Sequence, residues 1–378
     1  MVRAFVDTEV EPQALAFNRS ETFNVPLFRK LGGLGLLGIT CKEEYGGSGM
    51  DATAAVIAME ELCASDPAFC LSYLAHSMLF LNNLHINGTH EQKAKYLPAA
   101  CDGSLIGGMC MSEPGTGTDV LGMLTVATPV DGGSKYLING QKMWITNGTT
   151  DGKNTGDCFL VYAKTGKGRA DVSMFIVEKG TPGFTLGQQI KDKCGMRASM
   201  TAELVFADVV VPAGNLVGTL NGASLCMMRN LELERVALAA MSLGIARRCI
   251  EDMNKYAQER KAFGQSLNSF GQIQKMIAES YAEYMAGRAY VYSTSNNLDL
   301  YSTGNVLDSD GVKLYAAKMA KEVADRAIQV MGGYGYVGEY RVEQLWRDSK
   351  LLEIGGGTNE AHHKNMTNFF KKGVTKLP

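Results

Sequence analysis

The hydrophobic period of this chain changes twice, and that change limits the folds open to it more than any other feature. Up to about residue 107, apolar residues recur every three to four positions, as in Ala52–Ala64 and Leu71–Leu84. That is the spacing of buried helix faces. Pro67 and Pro98 punctuate this part, and Gly46-Gly47-Ser48-Gly49 reads as a turn. From about 108 to 218 the period becomes two. Tyr136–Gly140, Cys158–Tyr162, Ser173–Val177 and Ala202–Phe206 read as strands, separated by turns such as Asp131-Gly132-Gly133 and Thr181-Pro182-Gly183. Short strands so spaced predict a small barrel or sandwich. From about 219 onward helices return, at roughly 222–260, 270–298, 311–332 and 340–352. Four long helices with brief connections predict an antiparallel bundle. The expected organisation is therefore a helical domain (1–107), a β-barrel domain (108–218) and a four-helix bundle (219–378), mainly α with a β-barrel in the middle.

A chain of 378 residues, 46% hydrophobic, can bury a large core. Its formal net charge of −2 gives no basic field for nucleic acid or an anionic membrane. No run approaches the roughly 18 apolar residues of a membrane span. The nine cysteines show no CxxC or zinc spacing, so reduced, mostly buried thiols of an intracellular protein are expected, and no metal. The N-terminus carries neither an Arg/Ser-rich transit peptide nor a signal core. Val2-Arg3-Ala4-Phe5-Val6 instead reads as the inside of an amphipathic helix, as a trimmed or mature chain would.

Five segments carry possible chemistry. Met111-Ser112-Glu113-Pro114-Gly115-Thr116-Gly117-Thr118-Asp119 offers hydroxyls and glycine amides that suit a polar ring or an anion, or an ordinary turn. Lys142-Met143-Trp144-Ile145-Thr146-Asn147-Gly148 holds one of only two tryptophans, at a strand end, where it stacks on a flat cofactor or packs in the core. Gln329-Val330-Met331-Gly332-Gly333-Tyr334-Gly335-Tyr336 is either a helix C-cap or a close approach for a diphosphate, and it is not a Rossmann fingerprint. Glu234 lies in Leu231-Glu232-Leu233-Glu234-Arg235 and shares a helix face with Met227, Leu231, Leu238, Met241 and Ile245. The opposite face is apolar too, so the carboxylate is either paired, with Arg235 or Arg248, or has a raised pKa that suits a general base. Spacing leaves Glu232 open as an alternative. Last, Gly355-Gly356-Gly357 between Glu353 and Thr358 brings bare backbone close to a partner, or serves as a linker.

In order and spacing, "SEPGTGTD", "MWITNG", "ERKAFGQ", "QVMGGYGY" and "RDSKLLEI…GTNE" resemble the acyl-CoA dehydrogenase family across essentially the whole chain. The resemblance implies a helical domain, a β-barrel and a four-helix bundle, with FAD extended between the last two and tetrameric assembly. Met109, Met111, Ser112, Gly117 and Thr118, with Trp144, Ile145 and Thr146, match the isoalloxazine contacts. Thr118 also matches the hydroxyl near the acyl-CoA. Arg260 and Phe263 of the "ERKAFG" segment match contacts to a neighbouring subunit's FAD. Gln329, Gly332 and Gly333 match diphosphate and adenosine contacts, and Thr358 and Glu360 match positions that hold FAD after the glycine turn.

Many members carry the catalytic glutamate where this chain has Gly356. One branch, the isovaleryl-CoA dehydrogenases, places it on the bundle helix within Leu-Asp-Leu-Glu-Arg, which Leu231–Arg235 resembles. The absent glutamate and the buried Glu234 thus explain one another. By this resemblance Glu234 is the base, Glu232 and Arg235 contact the CoA, and the Gly356–Gly357 turn supplies an amide to the thioester carbonyl. Leu225 stands where the branch usually has a substrate-lining tyrosine. Gly271 stands where a FAD-contacting glutamine is usual, with Gln272 beside it. The implied reaction is α,β-dehydrogenation of a short branched acyl-CoA, isovaleryl-CoA to 3-methylcrotonyl-CoA, with an electron-transferring flavoprotein as acceptor. The implied setting is the mitochondrial matrix in a eukaryote and the cytoplasm otherwise. Alternatives are a family member of other chain preference, an acyl-CoA oxidase, or a catalytically silent flavoprotein.

Overall fold

A computed structural model describes residues 1–371 and 373. The first part is helical: α1 (Val2–Phe5) runs through a wide turn into α2 (Glu11–Ser20), followed by α3 (Val25–Gly33), α4 (Ala52–Ser65), α5 (Pro67–Leu74), α6 (Asn83–Asn87) and α7 (His90–Asp102). Local chemistry fixes the starts. The Asp51 carboxylate accepts from the Ala54 amide ahead of α4. Asp66 accepts from Ala68 and Phe69 ahead of α5, with Pro67 at its first position. Thr89 and Gln92 form a reciprocal cap on α7. Pro98, expected to end a helix, lies inside α7 without breaking it.

The middle part is one sheet of β1 (Gly107–Cys110), β2 (Val126–Val130), β3 (Lys135–Thr146), β4 (Cys158–Lys164), β5 (Val172–Glu178), β6 (Phe184–Ile190), β7 (Thr201–Pro212) and β8 (Leu216–Val217). Its order is β6-β7-β3-β2-β4-β5-β8, with β1 parallel to β4. Among the described residues these pairings show a sheet in the middle part and do not show its closure into the expected barrel. β4 and β5 also depart from strict alternation, being buried on both faces. Phe159, Val161 and Phe175 fill the interior of the sheet. Leu160, Tyr162 and Met174 face Phe80, Leu84 and Leu97 of the helical part.

The last part is α8 (Ala223–Glu259), a short hairpin of β9 (Lys261–Ala262) and β10 (Gln265–Ser266), then α9 (Gly271–Asn297), α10 (Val306–Met331), α11 (Arg341–Leu352) and α12 (Asn359–Lys371). α8, about 55 Å long at 1.5 Å per residue, is the axis of the molecule. Its run from Glu232 to Ala246 is buried all round, as expected of a helix apolar on every face. Gly244 lets α4 cross closely, since a Cβ there would lie 2.5 Å from the Glu60 carbonyl oxygen. One apolar core joins both helical parts through Met59, Leu62, Val236, Leu243, Ala317 and Ala320. All nine cysteines are free, and only Cys194 is exposed. No helix among the described residues is long and apolar enough to cross a membrane.

Candidate active site

Two of the predicted segments are tied together near the end of β3. The Met143 amide donates to the Ser112 carbonyl at 2.9 Å. The Lys142 ammonium donates to the Met111 carbonyl at 3.0 Å and to Glu113 Oε1 at 2.9 Å. Glu113 also accepts from the Leu124 and Thr125 amides. Lys142 and Glu113 are both buried. Burial pushes the Glu113 carboxyl up, but Lys142 and the Leu124 amide outweigh it and hold it below its usual range. This pair pins the loop that carries Met111, Ser112, Gly117 and Thr118. Sequence reasoning missed it, although "SEP" and "QKMW" each place a charge inside an otherwise small or apolar run.

Trp144 is re-aimed by a bulge. The β3–β7 register slips between Lys142 and Ile145, and Trp144 sits in that slip with φ +66°. A bulge turns one side chain out of the alternation, so Ile145 is buried while the Trp144 indole is 60% exposed. The core reading of this tryptophan is thereby excluded. Met109, Ser112 and Thr146 are half-buried, and Gly117 and Thr118 are exposed. The Thr116 hydroxyl is buried and has no hydrogen-bond partner among the described residues. An exposed indole, glycine amides and an orphaned hydroxyl fit a flat heterocycle with polar edges.

Glu234 is 7% exposed, and its Oε2 has no hydrogen-bond partner among the described residues. The ion-pair reading fails, because Arg235 pairs with Asp310 at 3.2 Å and Arg248 with Asp252 and Glu11, each at 3.0 Å. Burial raises the Glu234 carboxyl to about 7 against the pull of Arg235 and Lys313. The glycine turn lies against it. A Cβ built on Gly356 would be 3.6 Å from Glu234 Oε1 and 2.2 Å from Leu238 Cδ1, so the two positions at which a base could stand face the same space. Gly356 has φ +67° and Gly357 φ +103°, a region favouring glycine, and a Cβ on Gly357 would meet the His362 ring at 3.1 Å. The segment is thus a shaped turn and not a linker. Gly357→Ala is expected to cost about 1–3 kcal/mol in local strain. A lowered thermal midpoint and slower turnover would show it; a variant that melts and turns over as wild type contradicts it.

The remaining predicted residues fall into three groups. Thr358 accepts from the Ala361 amide at 3.2 Å and caps α12, with Glu360 exposed in its first turn; that helix was not foreseen. Glu232 turns its carboxylate to the amides of Gly304 (3.3 Å) and Asn305 (2.9 Å) at the start of α10, and Arg235 is turned to Asp310. Far along α8, Arg260, Gly332 and Gly333 line a groove of about 520 Å³ with Tyr256 and Tyr334. Arg260 stands over the Tyr334 ring at 5.8 Å, and Gly332 closes α10 with φ +59°. Gln329 is exposed one turn earlier, and Phe263 is 96% exposed at φ +49°. A guanidinium beside bare glycine amides fits a diphosphate. Leu225, Gly271 and Gln272 are all exposed. Sequence reasoning also missed Asp310, Lys313 and His362, buried behind the turn; α10 carries other charges as well, so the pair did not stand out in it.

Models of acyl-CoA dehydrogenase N-terminal, middle and C-terminal domains match residues 1–104, 108–209 and 221–369. The chain is 42% identical over 363 residues to a mitochondrial isovaleryl-CoA dehydrogenase of Solanum tuberosum, covering 95% of this chain and 86% of the relative. The solved butyryl-CoA dehydrogenase of Megasphaera elsdenii superposes with a TM-score of 0.93 at 34% identity, covering 98% of this chain and 96% of that one. A glutaryl-CoA dehydrogenase from Mycobacterium smegmatis in complex with FADH2 gives 0.91 at 29% identity, covering 100% and 94%.

Proposed function

The chain belongs to the acyl-CoA dehydrogenase family and is an FAD-dependent oxidoreductase, and from that premise we propose that it oxidises isovaleryl-CoA, with Glu234 taking the α-proton. The observation that carries this reading is the buried Glu234 carboxylate facing a glycine turn, its Oε2 without a partner among the described residues. Bound FAD supplies the acceptor for the hydride that leaves the β-carbon. The chain supplies the rest. Glu234, ionised above about pH 7, accepts the proton beside the thioester. The Gly356 amide polarises the thioester carbonyl, where charge gathers as that proton leaves. Trp144, Ile145 and Thr146, the loop of Met109, Met111, Ser112, Gly117 and Thr118, and Thr358 and Glu360 hold the cofactor. Arg260, Phe263, Gln329, Gly332 and Gly333 serve its diphosphate and adenosine end from a neighbouring chain. Glu232 and Arg235, whose side chains also hold the start of α10 and Asp310, contact the CoA in this reading.

With the base on α8 and Leu238 against Gly356, the space beside the β-carbon differs from that of a turn-borne glutamate, and this supports a branched acyl group. Exposed Tyr281, Met285 and Tyr290 on α9, with Tyr315 on α10, support assembly as a homotetramer. An electron-transferring flavoprotein as acceptor, and the mitochondrial matrix as setting in a eukaryotic source, belong to the same proposal. So do the divisions 1–107, 108–218 and 219–378.

The substrate is tested by kcat/KM over a panel of isovaleryl-, butyryl-, 2-methylbutyryl- and longer acyl-CoA under an artificial electron acceptor. Isovaleryl-CoA is expected to lead. A straight-chain preference refutes the branched reading and leaves the family assignment intact. The pH dependence follows from the base. Because only the carboxylate accepts a proton, kcat/KM is expected to fall about tenfold per pH unit below about 7 and to level off above it. An acid limb at the ordinary glutamate value of 4.5 contradicts the assignment.

A further inference from the structure

Behind the glycine turn lies a charged cluster that the mechanism above does not use. Asp310 and Lys313 on α10 are fully buried, as is His362 on α12. Asp310 Oδ1 takes Arg235 Nη1 at 3.2 Å and His362 Nδ1 at 2.5 Å. The His362 ring in turn lies against Gly357. Lys313 Nζ donates to the Gly357 carbonyl at 2.6 Å. It forms no ion pair with a carboxylate among the described residues, and of the carboxyls that act on it Glu234 acts most strongly, ahead of Glu353 and Asp310. The two cations near Glu234 therefore differ. Arg235 is engaged by Asp310, whereas Lys313 is held by a neutral carbonyl; burial lowers its ammonium to about 8 against the pull of Glu234, so it is still charged where Glu234 titrates, near 7.

We propose that Lys313 is a positioning residue for the reaction: it fixes the glycine turn through the Gly357 carbonyl, and its charge sets the proton affinity of Glu234. The inference rests on Glu234 being the base. The groups that face Glu234 are Arg235 on α8, Lys313 on α10 and Tyr162 on β4, with Asp310, His362 and Glu353 in the layer behind. Burial keeps the Tyr162 phenol protonated by raising it and keeps His362 neutral by lowering it. Asp310 offsets Arg235. Arg235 pulls on Glu234 more strongly than Lys313 does, but among the described residues Asp310 pairs with Arg235 while no carboxylate pairs with Lys313. An opposite charge close by favours the ionised carboxyl, so losing it moves Glu234 to higher pH.

The test uses the flavin-loaded protein as wild type, Lys313→Met, Lys313→Gln and Lys313→Arg. The carboxyl band of Glu234 is identified by infrared difference against Glu234→Gln and titrated with pH. In parallel, the pH profile of flavin bleaching by isovaleryl-CoA is recorded. The band is expected to titrate near 7 in wild type and about one unit higher in the Met variant. The acid limb of bleaching should move with it, while the Arg variant stays at the wild-type midpoint. Gln, which keeps a donor for Gly357 without the charge, is expected to show the same upward shift and serves if the Met variant does not fold. Unmoved midpoints in the uncharged variants overturn the proposal. Failure of the base assignment would look different: Glu234→Gln would bleach as fast as wild type while the infrared midpoints still reported the Lys313 charge.

Discussion

Glu234→Gln is expected to lower isovaleryl-CoA turnover by about 10²–10⁴-fold, the range that a positioned general base contributes, while the flavin content stays at the wild-type level. The substitution is close to isosteric and removes only the ability to accept a proton. It touches neither the Trp144 bulge nor the loop pinned by Lys142 and Glu113. It also replaces a carboxylate that burial already disfavours, so the folded state loses no ion pair and the thermal midpoint is expected not to fall. Loss of turnover with unchanged melting separates a chemical role from a structural one. A variant that retains turnover hands the base to another group, and Glu232 is then the nearest carboxylate on the same helix.

Lys142→Met is expected to have the largest effect on stability. Lys142 and Glu113 are 0% and 5% exposed and 2.9 Å apart. Removing the cation leaves a buried carboxylate with only amides to hold it, and breaking such a pair from one side costs about 3–5 kcal/mol. The damage falls on one place, since Lys142 also holds the Met111 carbonyl and stands two residues before Trp144. The expected result is a lower thermal midpoint together with a lower flavin-to-protein ratio after purification. Lys142→Met combined with Glu113→Gln is expected to recover part of the stability, because the unpaired charge is gone. A single variant that melts and retains flavin as wild type does would show that the pair is not what holds the loop.

Much of the fold was legible because it rests on local period. The expected helices near 222–260, 270–298 and 340–352 agree within a residue or two with Ala223–Glu259, Gly271–Asn297 and Arg341–Leu352. Where tertiary context decides, the sequence said less. β2, β6 and β8 pair at the edges of hydrophobic runs too short to stand out, and β4 is buried on both faces because helices cover its outer side. Barrel closure is a matter of long-range pairing that no local pattern encodes. At the site, Glu234 was legible because a carboxylate on an apolar face has few fates. Its lack of a partner was not, because that depends on Asp310 drawing Arg235 away from a position 75 residues distant in the chain. Lys313 and His362 were missed for the same reason: Lys313 takes its meaning from a turn more than 40 residues away, and His362 from Asp310 on another helix.

The most direct test of the account is a single anaerobic mixing experiment at pH 8 with the flavin-loaded protein and isovaleryl-CoA, run side by side on wild type and Glu234→Gln. The account predicts rapid loss of the oxidised flavin band in wild type and an unchanged band in the variant over the same time. Equal bleaching in both proteins, or none in wild type with flavin bound, would contradict it.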